Sequence, residues 1–588
     1  MLVDDATDTA AGPTGAEPAA DSAAAQADEA SPPRIKWRRR MATPPSFGSA
    51  LGALVLWWES LRPSMLPRDW LLQGAVGALC ITYGVGIGGL IQRGVSAVLR
   101  KTGRAVSPTL RQRSMLVLEV VAAVAVVVGS WRWLSWQRDH RALLGMESLS
   151  LFTIVPMLLA TVLLTIVLMV LFRSIKHVVY RADLAAAKRL PQRWSRTVVV
   201  IGVVVVAVVG SGWAMDRFAM WADTNFGALD TGTADGIEQP TSELVSGGPG
   251  SLVDFDDLGF QGRTFVGETP TVDDIREFDD SVEPLQPIRA YVGLDSAGTV
   301  EERVQLAVDE LRRTGAFDRQ VLVVATPTGT GWINPNAART LEYMYHGDTA
   351  IVGVQYSFLP SWVASVVGPD SAPILGVALF DAVHAAWSEL PADSRPKLVA
   401  FGESLGSFAG EHAFSSDDGV AASLQSIVDR TDAALFVGPT RGNPIYGPLV
   451  DHRDSGSPSW KPELAAVPNL RVANTTDDIT ADATGWPQPR VLYLHHPGDA
   501  VGTWEPANAW RSPGWADDPT PYDILGAARW TPLVSVTQEV FDLMNGFSAS
   551  PGFGHDYRNN LAAAWAAILP PDGWTAADTD RLNEFLGL

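Results

Sequence analysis

The stretch Lys397-Leu-Val-Ala-Phe401, Gly402-Glu-Ser-Leu-Gly406, Ser407-Phe-Ala-Gly-Glu-His-Ala-Phe414 decides how this sequence is read. Its first five residues form an apolar run of strand length and its last eight carry a helical pattern, so the pentapeptide between them must turn the chain sharply. A serine on such a turn is crowded and strained. It needs small residues two positions before and two after it, and Gly402 and Gly406 occupy those places. The turn exposes the Ser404 hydroxyl and aims the amino terminus of the next helix at it. The competing reading is a Gly-flanked serine that caps an ordinary helix, and the strand in front argues against it.

Outward from this point, short β-branched runs alternate with amphipathic segments. Strands are predicted at Ile288–Leu294, Val321–Ala325, Ala350–Gln355, Lys397–Phe401, Ala433–Val437 and Val491–His495, and helices at 300–313, 336–345, 374–390, 405–414 and 557–568. Such alternation predicts a mostly parallel sheet with helices on both faces. Reactive groups in these sheets gather beyond the carboxyl ends of the strands.

A hydroxyl needs a base, and the base needs an orienting carboxylate. The strand Arg490-Val-Leu-Tyr-Leu-His-His496 runs into Pro497-Gly-Asp-Ala-Val501, which places Asp499 just past a strand end. Gly552-Phe-Gly-His-Asp-Tyr557 precedes a helix and places His555 in a Gly-flanked loop. Among the other histidines, His495 and His496 sit at a strand end, His346, His384 and His412 fall on or beside helices, and His452 lies in an insert. No H-x-x-x-H or H-E-x-x-H pattern suggests a metal site, and no cofactor is expected. An oxyanion hole requires two N–H donors. One is expected from Leu405, directly after the serine, and the second from Thr328 or Gly329 in the Gly-rich loop that follows Val321–Ala325. That loop lacks the Lys and spacing of a P-loop. No last strand is evident between Asp499 and His555, and Pro532 to Gly546 reads equally as strand or helix.

The order Ser404, Asp499, His555 is that of the α/β-hydrolases, and residues 288–588 resemble an α/β-hydrolase domain. The whole chain resembles an actinobacterial family of integral membrane proteins that join a multi-span amino-terminal region to a carboxyl-terminal α/β-hydrolase domain. The resemblance implies a serine-hydrolase triad on the three residues already reached.

The first third supports the membrane part of that resemblance. The chain has 588 residues, 47% hydrophobic and 19% charged, which is too long for one domain and too apolar to be wholly soluble or disordered. The single cysteine, Cys80, excludes an internal disulfide framework. Up to Met215 there are 23 Lys and Arg against 13 Asp and Glu, and beyond it 21 against 52. The acidic second part argues against nucleic-acid binding. Residues 1–45 read as a disordered tail ending in the basic cluster Arg34 to Arg40. Apolar runs follow at 46–60, 70–91, 114–134, 149–172 and 197–215, about five spans, the first of them short. If the amino-terminal tail is cytoplasmic, as expected, and all five cross, the loops with Arg93 to Arg113 and Arg173 to Arg196 lie inside. Arg62, Arg68, Arg138 and Arg141 then lie outside, as the positive-inside rule requires.

The expectation is therefore a plasma-membrane protein with a membrane-spanning domain at 46–215 and a linker or docking segment at 216–286. An extracytoplasmic α/β domain at 287–588 would carry a cap insert at 439–489, with substrate contacts from that insert and from Trp504, Trp510 and Trp515. Its activity would be that of a serine esterase, lipase or thioesterase acting through an acyl-enzyme on a lipid or other acyl ester of the envelope. The same residues would serve an acyltransferase. A different reading makes the bundle a transporter or scaffold whose outer domain binds without turnover. Oligomeric state is not specified by the sequence.

Overall fold

A computed structural model describes residues 45–104, 106–188, 191–481 and 485–588, so the tail and its basic cluster lie outside the described residues. Five helices come first: α1 (Phe47–Ser60), α2 (Trp70–Lys101), α3 (Pro108–Leu143), α4 (Ile154–Ala187) and α5 (Gln192–Asp230). The last four are long and apolar enough to cross a membrane. α1 has 14 residues, about 21 Å of helix, so the five expected spans become four plus a short helix laid along α2. Glycine permits that contact. A Cβ on Gly48 would lie 2.5 Å from the Gly88 carbonyl oxygen, and Gly52 faces Gly84 in the same way. Small residues let helix backbones approach this closely in lipid.

Of the expected linker or docking segment at 216–286, the structure shows the docking part, around Phe260 to Val266 and beyond. α5 continues to Asp230, and the rest folds onto the α/β core through α6 (Gly259–Gly267) and α7 (Val272–Phe278). Phe265, Val266, Ile275 and Phe278 are buried with the strands. Their spacing showed no period because each short turn docks separately on a surface that other residues provide.

The sheet has seven strands: β1 (Ile288–Val292), β2 (Val321–Thr326), β3 (Thr349–Val354), β4 (Lys397–Glu403), β5 (Ala433–Val437), β6 (Leu470–Ala473) and β7 (Arg490–Leu494). Their order is β1-β3-β2-β4-β5-β7-β6, and every pairing is parallel. The strands are buried almost throughout because helices cover both faces. On one side lie α8 (Val300–Thr314), then, after the short α9 (Ser361–Val367), α10 (Ser371–Ser388) and α11 (Leu405–Glu411). The helices Pro335–Met344, Leu561–Ile568 and Ala576–Leu586 pack together on the other.

Two expectations need correction here. The segment 439–489 is not simply a cap, because it contains β6, an edge strand of four residues too short to announce itself. Between Asp499 and His555 the ambiguous stretch is a helix, α12 (Val534–Met544).

The bundle and the sheet domain share packing. The loop between α1 and α2 inserts Met65 among Ala500, Trp515, Ile524 and Ala528, and Leu66 against Leu144 and Ala549. Arg68 and Asp542 pair at 3.7 Å with neither side chain exposed, and Asp542 also accepts the Met65 N–H at 3.1 Å. Asn545 and Gln538 donate to the carbonyls of Pro67 and Arg62 at 3.1 and 3.0 Å.

Candidate active site

β4 delivers Ser404 into a left-handed backbone conformation, φ +56°, which a residue with a side chain adopts only under constraint. The constraint is visible on both sides. A Cβ on Gly402 would lie 2.5 Å from the Gly406 carbonyl oxygen, and one on Gly406 would collide with the carbonyl oxygen of Thr326. The register of β2 with β4 sets Thr326 beside Gly402. The Ser404 N–H is tied to the Val437 carbonyl at 2.8 Å, which anchors the turn to β5.

The loop after β7 carries Asp499, fully buried, and its carboxylate is saturated with donors. Oδ1 accepts the Val501 N–H at 2.9 Å. Oδ2 accepts from His555 Nδ1 at 2.6 Å and from the Tyr557 hydroxyl at 2.7 Å. Burial pushes this carboxyl up, but the imidazole and the phenol outweigh burial and hold it at about 2. The reverse holds for His555. Burial pulls the ring down, yet the attraction of Asp499 leaves it above its ordinary value. Gly438, just past β5, lets the imidazole sit against the backbone, since a Cβ there would lie 2.7 Å from His555 Cε1.

Ser404 and His555 line one cavity of about 890 Å³. No hydrogen bond joins the Ser404 hydroxyl to the imidazole among the described residues; in unliganded sites such bonds are often long. Leu405 is the first residue of α11, so its N–H has no partner within the helix. Thr328 departs from expectation. Its side chain lines the cavity, but its N–H is spent in a tight turn on the Trp332 carbonyl at 3.0 Å. The Gly329 N–H meets only the Ser361 hydroxyl, at 3.4 Å.

The insert reaches the cavity only through its first residues, Thr440, Arg441 and Gly442. Of the three tryptophans expected near substrate, Trp504 lines the cavity, Trp510 is exposed and Trp515 is buried against Met65. The insert's own Trp460 donates to the Pro519 carbonyl instead.

Sequence reasoning missed three groups. Tyr557, two residues past His555, shares Asp499 with it and stacks on His496 at 4.1 Å between ring centroids. His496 in turn bonds the Gly554 carbonyl at 2.9 Å and so supports the histidine loop. Glu403 is buried beside the serine, receives the Asn334 amide at 2.7 Å, and is lifted by burial to about 7. Tyr356, just past β3, lines the cavity. A signal existed for Glu403, a charged residue at a position whose neighbours in the strand are all apolar.

A family model described as "Alpha/beta-hydrolase family" matches residues 288–582, and one described as "Alpha/beta-hydrolase family N-terminus" matches residues 61–270. No curated protein and no solved structure matches the chain.

Proposed function

Since this chain belongs to the alpha/beta-hydrolase family, we propose that it is a membrane-anchored serine hydrolase of acyl esters. Ser404 Oγ attacks the carbonyl carbon while His555 takes its proton, and the same imidazole returns that proton to the departing alcohol. Water then resolves the acyl-enzyme by the reverse sequence. Asp499 holds the ring in the tautomer that presents Nε2 to the serine and stabilises the imidazolium. The Leu405 N–H is one oxyanion donor and Gly329 supplies the second, released from Ser361.

The observation that carries this reading is the 2.6 Å bond from His555 to a buried Asp499, with His555 lining the same cavity as a serine on a strained turn. A fluorophosphonate probe tests it. The wild-type protein should be labelled and Ser404→Ala should not; a wild type that stays unlabelled would remove the reading's support.

Membrane placement is supported by the length and apolar composition of α2 to α5 and by the loop charges. The basic residues between α2 and α3, and between α4 and α5, support placing that domain outside the cytoplasm; with four spans in place of five, the amino-terminal tail falls on the same side as the domain. Protease added to intact cells should then cleave a carboxyl-terminal tag, and a protected tag would contradict the assignment.

A further inference from the structure

The cavity's mouth is walled by two elements that both lean on membrane helices. On one side α12 packs through Val534 and Phe541 with Leu56, Val76 and Cys80. Val76 and Cys80 lie about 9 and 15 Å along α2 from Trp70 at 1.5 Å per residue, so α12 runs beside the beginning of a span. On the other side Trp362 of α9 packs on Phe218 of α5 at 6.0 Å between ring centroids, and Phe218 stacks on Trp221 at 5.8 Å. Aromatic clusters of this kind mark the level of a membrane interface. α9 and α10 together are apolar enough for a broken span, bent by 100°.

The rim between these walls is apolar and uncovered. Trp362 is 65% exposed, Val366 51%, Met544 74% and Phe547 72%. Trp362 and Phe547 also line the cavity, so they stand at its opening. On a water-facing surface such a group would need a partner; beside spanning helices its partner is lipid. Deeper in, the Tyr356 hydroxyl and the Trp504 N–H are buried without a hydrogen-bond partner among the described residues. An apolar passage ending in idle donors matches a ligand with a hydrocarbon tail and a polar ester end.

We propose that the cavity takes an ester-linked acyl chain laterally from the leaflet on the sheet-domain side, through the opening between α9 and the α12–Phe547 turn. This deepens the hydrolase reading and rests on it. The substrate class is a bilayer-resident acyl ester whose chain stays in hydrocarbon while its carbonyl reaches Ser404. The C–O bond to the leaving alcohol breaks, the alcohol takes the proton from His555, and water supplies the hydroxyl of the released acid.

The test uses the full chain in phosphatidylcholine vesicles with two substrates, a water-soluble butyrate ester and a palmitate ester embedded in the same bilayer. Val366→Asp combined with Met544→Glu charges the rim without touching the cavity lining. Turnover of the embedded ester should fall about tenfold or more, while the soluble ester and fluorophosphonate labelling stay within about twofold. Met544→Leu should behave as wild type. If both esters are unaffected, or both fall equally while labelling persists, the lateral passage is wrong though the hydrolase stands. A wild type that cleaves neither ester and takes no label instead removes the hydrolase reading itself. A measurement on the wild type alone guards against a misfolded variant: a non-hydrolysable long-chain ether lipid in the vesicles should suppress soluble-ester turnover. No suppression would overturn the proposal.

Discussion

Replacing Tyr557 by phenylalanine removes one hydroxyl and leaves its ring on His496. In the wild type that hydroxyl and His555 Nδ1 share Asp499 Oδ2, at 2.7 and 2.6 Å. A hydrogen bond to a charged group is worth about 1.5–3 kcal/mol, or about one to two pKa units at 1.36 kcal/mol each. Asp499 is held at about 2 against an ordinary value of 3.8, by His555 first and by the phenol last, so in Tyr557→Phe its carboxyl should titrate higher than in the wild type and still be ionised at neutral pH. A depressed carboxyl contributes stability that is present above its unfolded value and lost as the pH falls through its folded value. The variant should therefore be less stable by about 1.5–3 kcal/mol at pH 7, with the gap narrowing below about pH 4. Catalysis reports a second sign. His555 would face a carboxylate with one donor fewer and hold its proton more firmly. The acidic limb of kcat/KM should then move to higher pH, by up to about one unit. The assay is hydrolysis of a soluble ester by detergent-solubilised protein from acid to alkaline pH. A limb that stays put or moves down would refute the reasoning, as would a loss of about 10³-fold at every pH, which would give the phenol a chemical role of its own.

Glu403→Gln should act in the opposite direction. It keeps an oxygen for Asn334 but removes a carboxyl that is negative only from about pH 7 upward, so the part of the acidic limb at and above that pH should move to lower pH, while the profile below it stays in place. Gly406→Ala would drive a methyl into the Thr326 carbonyl and displace the Ser404 turn; fluorophosphonate labelling should slow by about 10²-fold. Asp542→Ala leaves Arg68 buried without its carboxylate and should cost about 3–5 kcal/mol in thermal unfolding, most of it recovered in Arg68→Met with Asp542→Leu.

The turn at Ser404 was legible because its demands fall within ten residues: a strand, two glycines at fixed offsets, a helix. Asp499 and His555 were legible from their loops and their order in the chain. Six of the seven strands show as apolar runs because a parallel sheet buried on both faces leaves little room for polar residues. β6, Leu-Arg-Val-Ala, is an edge strand with half-exposed positions and gives no such run. Composition does not separate Thr328 from Gly329 as a donor, because the direction of an N–H depends on the turn that contains it, and the Thr328 N–H turns to Trp332. Tyr557 and Tyr356 were invisible for a related reason. Their importance lies in which distant atom each faces, and no local pattern records it. α1 gave a run of spanning character with too few residues, and the sequence could not tell a short helix from a complete crossing.

The segment from Leu61 to Asp69 is only nine residues long, yet Met65 packs against Ala500 in the loop that starts at Asp499, and a Cβ on Gly554, next to His555, would lie 3.4 Å from the Leu66 side chain. The floor of the acid and base loops is thus made of chain that belongs to the amino-terminal helical half. Excising the sheet domain alone would leave an apolar trough and a lone carboxylate at Asp542 where that floor had been. A hinge between α1 and α2 has the same reach. α1 has only 14 residues and leads straight into this segment, so any shift of α1 against α2 is passed to the floor beneath the imidazole.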